Sequence, residues 1–195
     1  MKSSCKYCLS ALLLLFSVMA GAQTPDFPTL DKSPLDLAYY PPRAAFRFFA
    51  KSDEARKADE PLIRVMYSRP QKKGREIFGG LEPYGKVWRA GANENTEIRF
   101  YADAQIGDTL VPAGTYSLFV IPEESQWTLI LNKDLDAWGA YSYQEAADVL
   151  RHTVAVERAP RVIEEFSIQF EQTPEGASMI IGWDRTIARF LIVFP

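Results

Sequence analysis

From Ile63 onward the chain alternates apolar and polar positions in short runs. Ile63, Val65 and Tyr67 flank Arg64 and Met66, and Ile98 and Phe100 lie among Glu97, Arg99 and Tyr101. Tyr116, Leu118 and Val120 form one face of residues 115–121, and Trp127, Leu129 and Leu131 repeat the pattern. Phe166, Ile168 and Phe170 alternate with Glu165, Ser167, Gln169 and Glu171. A period of two sends successive side chains to opposite faces of a sheet, so each run predicts a strand with one buried face. Residues 186–194 are apolar on both parities and predict a strand covered on both faces.

Turn chemistry separates these runs. Pro112-Ala113-Gly114, Pro122 to Gln126 and Thr173-Pro174-Glu175-Gly176 each divide two predicted strands. Strands at this spacing predict an all-β fold, an antiparallel β-sandwich of jelly-roll-like or Greek-key type. At most one short helix is expected, from Ser142 to Val149, with Ser142 as N-cap and Glu145 three residues later. Residues 51–60 are charged without an apolar face and read as a loop with at most one helical turn.

The ends differ from this middle. Lys2 and Lys6 precede an apolar run from Leu9 to Ala20, and Ala20-Gly21-Ala22 fits a signal-peptidase site. The run is shorter than the ~20 helical residues a bilayer requires. Residues 1–22 are therefore expected to be a cleaved signal peptide, with the mature protein periplasmic or secreted and holding no stable membrane anchor. Residues 23–43 carry Pro25, Pro28, Pro34, Pro41 and Pro42 and predict a proline-rich arm. The β-sandwich domain is then expected over 44–195.

Composition narrows the chemistry. Cys5 and Cys8 both leave with the signal, so the mature chain is expected to carry neither a disulfide nor a thiol nucleophile. It retains 20 basic against 25 acidic residues, which argues against a nucleic-acid partner. His152 is the single histidine, a poor basis for a zinc site. It shares strand parity with Leu150, Val154 and Val156 and reads as a core or edge residue rather than a catalytic base. Gly79-Gly80 reads as a turn, not a phosphate cradle. Asn132-Lys133-Asp134-Leu135-Asp136 spaces oxygens as a calcium loop does, but lacks the glycine and distal glutamate. No metal and no cofactor is expected.

The densest chemistry lies between Tyr67 and Phe100. Arg69, Arg75 and Arg89 are forked donors suited to a carboxylate or phosphate. Asn93, Glu94 and Asn95 add amides and an acid, and Lys133 adds a second cation type. Trp88 and Trp138 occur in loop-like contexts and are candidates for an exposed aromatic platform. Trp127 and Trp183 have core parity. The same arginines, amides and acids also suit a purely structural network that satisfies loop backbone groups.

Several motifs occur in order along the chain. They are Tyr-Ser-Arg-Pro at 67–70, Gly-Arg-x-Ile-Phe-Gly-Gly-Leu at 74–81 and Pro-Tyr-Gly-x-Val-Trp-Arg-x-Gly-Ala-Asn-Glu-Asn-Thr at 83–96. Pro-Ala-Gly-Thr-Tyr-Ser-Leu-Phe at 112–119, Trp-Thr-x-Ile-x-Asn-Lys at 127–133 and Trp-Gly at 138–139 follow. With these motifs the chain resembles domain-of-unknown-function family 2911 across roughly residues 44–195. The resemblance implies export from Gram-negative bacteria and no established activity. It also implies that the loops at 67–96 and 132–139 lie together.

The expectation is an exported, non-catalytic binding module for a polar small molecule or glycan. Its ligand contacts would come from Arg69, Arg75, Trp88, Arg89, Asn93, Glu94, Asn95, Lys133 and Trp138. The alternatives are a hydrolase or lyase with Glu94 or Glu82 as general base, and a structural or protein-interaction domain. Whether there is catalysis, and in what oligomeric state, stays open at this level.

Overall fold

A computed structural model describes residues 24–195. The expected signal peptide and both cysteines lie outside the described residues. Residues 24–30 carry neither helix nor strand, and the folded unit runs from Asp31 to Pro195.

Nine strands form one antiparallel sheet among the described residues. They are β1 (Leu35–Tyr40), β2 (Ile63–Ser68), β3 (Thr96–Phe100), β4 (Ala104–Ile106), β5 (Thr109–Val111), β6 (Gly114–Pro122), β7 (Gln126–Asn132), β8 (Asp148–Gln172) and β9 (Gly176–Val193). Their spatial order is β1-β2-β3-β6-β7-β8-β9-β4-β5. The chain is all-β, as the alternation predicts.

Strand β8 organises the whole. Its first part pairs with β7, from Asn132 opposite Asp148 to Gln126 opposite Ala155. Its second part pairs with β9, from Val156 opposite Ala188 to Gln172 opposite Ala177. Within that second part the register slips twice, from Arg158 to Ile163 and from Ile163 to Ser167. Pro160 falls in that stretch and has no N–H for a ladder, and such irregularities bend a strand. The sheet folds over at β8, and one apolar core lies between its halves. Ile63, Val65, Ile98, Phe100, Leu118 and Leu129 come from one half; Phe166, Ile168, Met179, Ile181, Phe190 and Ile192 come from the other.

The open side is laced by the segment after β2. Phe166 N–H donates to Pro70 O at 2.9 Å, and Lys72 N–H donates to Glu164 O at 2.8 Å. The Tyr67 hydroxyl donates to Ile168 O at 3.2 Å.

Four expectations need correction. The arm at 23–43 is not all linker: residues 35–40 pair with β2 as strand β1. They are a proline-free stretch between Pro34 and Pro41, so every backbone donor of the ladder is available. Residues 142–149 do not form a helix but a 3-10 turn at Glu145–Ala147, because Asp148 enters β8 opposite Asn132. The α-helix is α1 (Asp53–Ala58), within the charged stretch, where the Ser52 side chain accepts from Ala55 N–H. It buries no residue, which is why it left no apolar period. Finally, residues 186–194 are covered on one face only. Ala188, Phe190 and Ile192 are buried while Leu191 is 39% exposed.

Candidate functional site

The loop joining β2 to β3 is held by its apolar residues. Trp88 is buried among Phe78, Trp127, Phe166 and Trp183, with ring centroids 5.1–6.3 Å away. Its backbone exchanges two 2.8 Å hydrogen bonds with Val120, beyond the point where β3 stops pairing with β6. Its ring N–H donates to Gly91 O at 3.1 Å. Trp88 is thus a core residue, and the expectation of an exposed platform is wrong for it. Tryptophan's large apolar area outweighs the loop-like chemistry of its neighbours.

Trp88 faces the core, and Arg89 next to it is half-buried. A compact turn follows, in which Ala90 and Asn93 take φ values of 52° and 60°. Asn95 closes that turn from a buried position. Its Oδ1 accepts from Ala137 N–H at 2.9 Å, its backbone N–H donates to Ala137 O at 3.0 Å, and its amide donates to the Ser117 hydroxyl. Glu94 also bridges to Trp138 through the backbone. The loops at 67–96 and 132–139 therefore lie together, as the family resemblance implies.

Glu82 is placed by the turn at 77–82. Its backbone N–H donates to Ile77 O at 2.8 Å, and its carbonyl accepts from Gly79 N–H at 3.0 Å. The turn has no room for side chains: a Cβ on Gly80 would lie 2.7 Å from Glu76 O. Gly79, at φ +86°, faces the Tyr84 ring, which a Cβ would meet at 2.9 Å.

Glu82 and Arg89 line a cleft of about 220 Å³ with Val87, Trp88, Ala140 and Tyr141. Burial pushes the Glu82 carboxyl up to about 7, against the opposing pull of Arg89 and then Arg75. Arg89 Nε is buried without a hydrogen-bond partner. Gly139, at φ +66°, lies beside the guanidinium, and a Cβ there would come 2.6 Å from Arg89 Nη1. The cleft therefore presents a half-buried acid and a cation with unspent donors. Arg89 can take an oxyanion, and Glu82 can exchange a proton near neutral pH.

The other sequence-selected residues go elsewhere. Arg69 ties β1 to β8, donating to Asp36 at 2.8 Å, Ser167 Oγ at 2.9 Å and Phe166 O at 3.2 Å. It borders a larger hollow of about 400 Å³, but its fork is already occupied there. Arg75 folds back on its own loop, donating to Lys72 O at 3.0 Å and to Gln71 O. Asn93 supplies a left-handed turn residue, and Asn95 is buried glue. Glu94 and Lys133 are exposed outside the cleft lining, and Trp138 is 59% exposed. Asn132 spends its side chain on Asp134 N–H, Gln144 O and Asp148, so the calcium-like spacing serves a polar turn. His152 is half-buried beside the β4–β5 turn, where a Cβ on Gly107 would come 2.6 Å from its Nδ1.

Of the nine candidates only Arg89 and the rim of Trp88 line the cleft; Glu82, the alternative general base, completes its polar pair. Val87, Ala140 and Tyr141 were not selected. The only signal for Tyr141 was its position three residues after Trp138.

A family model described as "Protein of unknown function (DUF2911)" matches residues 50–192. The chain belongs to this family. Both loops that build the cleft, at 67–96 and 132–141, fall within the DUF2911 match. Neither the curated proteins nor the solved structures compared with the chain gave a match.

Proposed function

We propose that this DUF2911 domain is a non-catalytic binding module for a small polar molecule, held in the Glu82–Arg89 cleft. The observation that carries this reading is the Arg89 guanidinium, which lines a concave site with an apolar wall and makes no side-chain hydrogen bond among the described residues. A guanidinium that no protein group engages can take a ligand oxygen in its fork. Drug-sized sites span roughly 300–1,000 Å³. The cleft, at about 220 Å³, suits a single small molecule better than a glycan chain. The reading includes export, supported by Lys2, Lys6 and the apolar run Leu9–Ala20. The acidic balance speaks against a nucleic-acid partner.

The test is a thermal-shift screen of small polar metabolites on the purified protein, repeated on Arg89→Gln. A rise in melting temperature that disappears in the variant supports the reading. No rise for any compound sinks it.

One observation favours a second reading, a hydrolase or lyase with Glu82 as general base. Its carboxyl is pushed up to about 7, near an operating pH where bases work well. The cleft lining holds no second carboxyl to act as the matching acid, so binding is the better supported of the two.

A further inference from the structure

Glu82 and Arg89 line the same cleft yet do not form an ion pair within 4.0 Å. Among the described residues, neither side chain has a hydrogen-bond partner, and Arg89 Nε is fully buried. Opposite charges this close usually close on each other or find other partners when they leave water. Here they do not pair, and Val87, Trp88 and Tyr141 line the cleft with them.

We infer that the ligand is a small zwitterion, an α-amino acid whose carboxylate is held by Arg89 and whose ammonium is held by Glu82. This rests on the binding reading above and names its ligand class. A guanidinium fork matches a carboxylate in geometry and charge. An ammonium brings donors to a carboxylate that accepts only. A monoanion would complement Arg89 and leave an ionised Glu82 uncompensated; a simple amine would do the reverse. An α-amino acid complements both, and its side chain meets the apolar wall of Val87 and Trp88.

The arrangement links binding to a proton. The charged groups acting on Glu82 are Arg89 and Arg75; Glu76 sits at the base of the same turn, and Tyr141 is the other titratable group of the lining. An ammonium needs Glu82 ionised, whereas the empty cleft holds it half protonated near pH 7. Binding therefore releases a proton, and affinity should rise roughly tenfold from pH 6 to pH 8. A ligand with only a carboxylate, accepting from protonated Glu82, has the opposite slope.

The experiment is calorimetric titration of the purified protein with leucine, phenylalanine, glutamine and aspartate at pH 6 and pH 8. The deaminated acid and decarboxylated amine of each are titrated in parallel. The expected result is that at least one amino acid binds, that both its fragments bind over a hundredfold more weakly, and that affinity rises with pH. Glu82→Gln should abolish the pH slope; if that variant does not fold, the wild-type slope still decides. Equal binding of the deaminated acid, or affinity that falls with pH, overturns the zwitterion while leaving the binding module standing. No binding by these compounds overturns the amino-acid assignment. The binding module falls too only if the broader metabolite screen is also empty.

Discussion

Glu82 and Arg89 share one cleft on the β2–β3 loop without closing into an ion pair. The scaffold beside them is tied down: Trp88 by four aromatic neighbours, Asn95 by Ala137 and Ser117. Two uncommitted charges on a committed scaffold are what separate a site from loop glue.

The raised Glu82 carboxyl has a defined effect on stability. Its folded form keeps the proton up to about pH 7, above the ordinary carboxyl range. The folded state then binds more protons than the unfolded state between roughly pH 4.5 and 7, so stability falls as pH rises through that window. Glu82→Gln removes the titration. Allowing for partial exposure, the variant should be about 1–2 kcal/mol more stable than wild type at pH 8. That is a rise of ~2–8 °C in melting temperature, vanishing near pH 4. Paired melts at pH 4 and pH 8 check it; a variant that melts lower at pH 8 overturns it.

Arg89 and Asn95 should behave oppositely on truncation. Arg89 makes no side-chain hydrogen bond among the described residues, so Arg89→Ala should change stability by less than ~1 kcal/mol while abolishing ligand binding. Asn95→Ala strands Ala137 N–H and opens a buried network, which should cost about 2–4 kcal/mol. Denaturant melts of both variants separate the roles, with a large loss in Arg89→Ala counting against a ligand site.

Much of this fold was legible because a half-buried strand writes its burial into the sequence. Phe166, Ile168 and Phe170 are buried as their parity required, and so are Ile63, Val65 and Tyr67. The turns at 112–114 and 173–176 fell where proline and glycine put them. The continuity of β8 and β9 was not legible. Pro160 and Asp184, the latter at φ +54°, look like breaks, yet the ladder runs past both. Pairing partners decide that, and a single chain does not name them.

The site was legible only in part, for a related reason. Arginine, asparagine and tryptophan carry the same chemistry whether they meet a ligand or a neighbouring loop. Arg69 and Arg89 look alike in sequence, but Asp36 and Ser167 occupy one, and among the described residues nothing occupies the other. Tyr141 enters the cleft from a loop that Asn95 holds at Ala137 and Glu94 bridges at Trp138.

The boundary at the N-terminus gives a further prediction. Strand β1 contributes Ala38 and Tyr40 to the core, and Asp36 holds Arg69. A chain beginning at residue 31 should therefore melt within ~2 °C of one beginning at residue 23. A chain beginning at residue 44 exposes the edge of β2 and loses those contacts, and should aggregate or lose at least ~3 kcal/mol. Size-exclusion profiles and melts of the three chains check this, and equal stability of the shortest would show that β1 is dispensable.

Gly139 offers a test that leaves both charged residues in place. Its φ of +66° disfavours any side chain, and a Cβ would sit 2.6 Å from Arg89 Nη1. Gly139→Ala should cost about 1–2 kcal/mol through backbone strain. It should also push the guanidinium out of line with the cleft. A bound carboxylate depends on the geometry of the fork, so affinity should fall more than tenfold in a protein that still folds. Gly107→Ala is the matched control: it places a Cβ 2.6 Å from His152 Nδ1 at φ +57°, outside the residues that line the cleft. Calorimetry on the two variants reads the difference. Loss of affinity in Gly139→Ala with normal affinity in Gly107→Ala would locate the ligand against Arg89, whereas equal affinities would move it elsewhere.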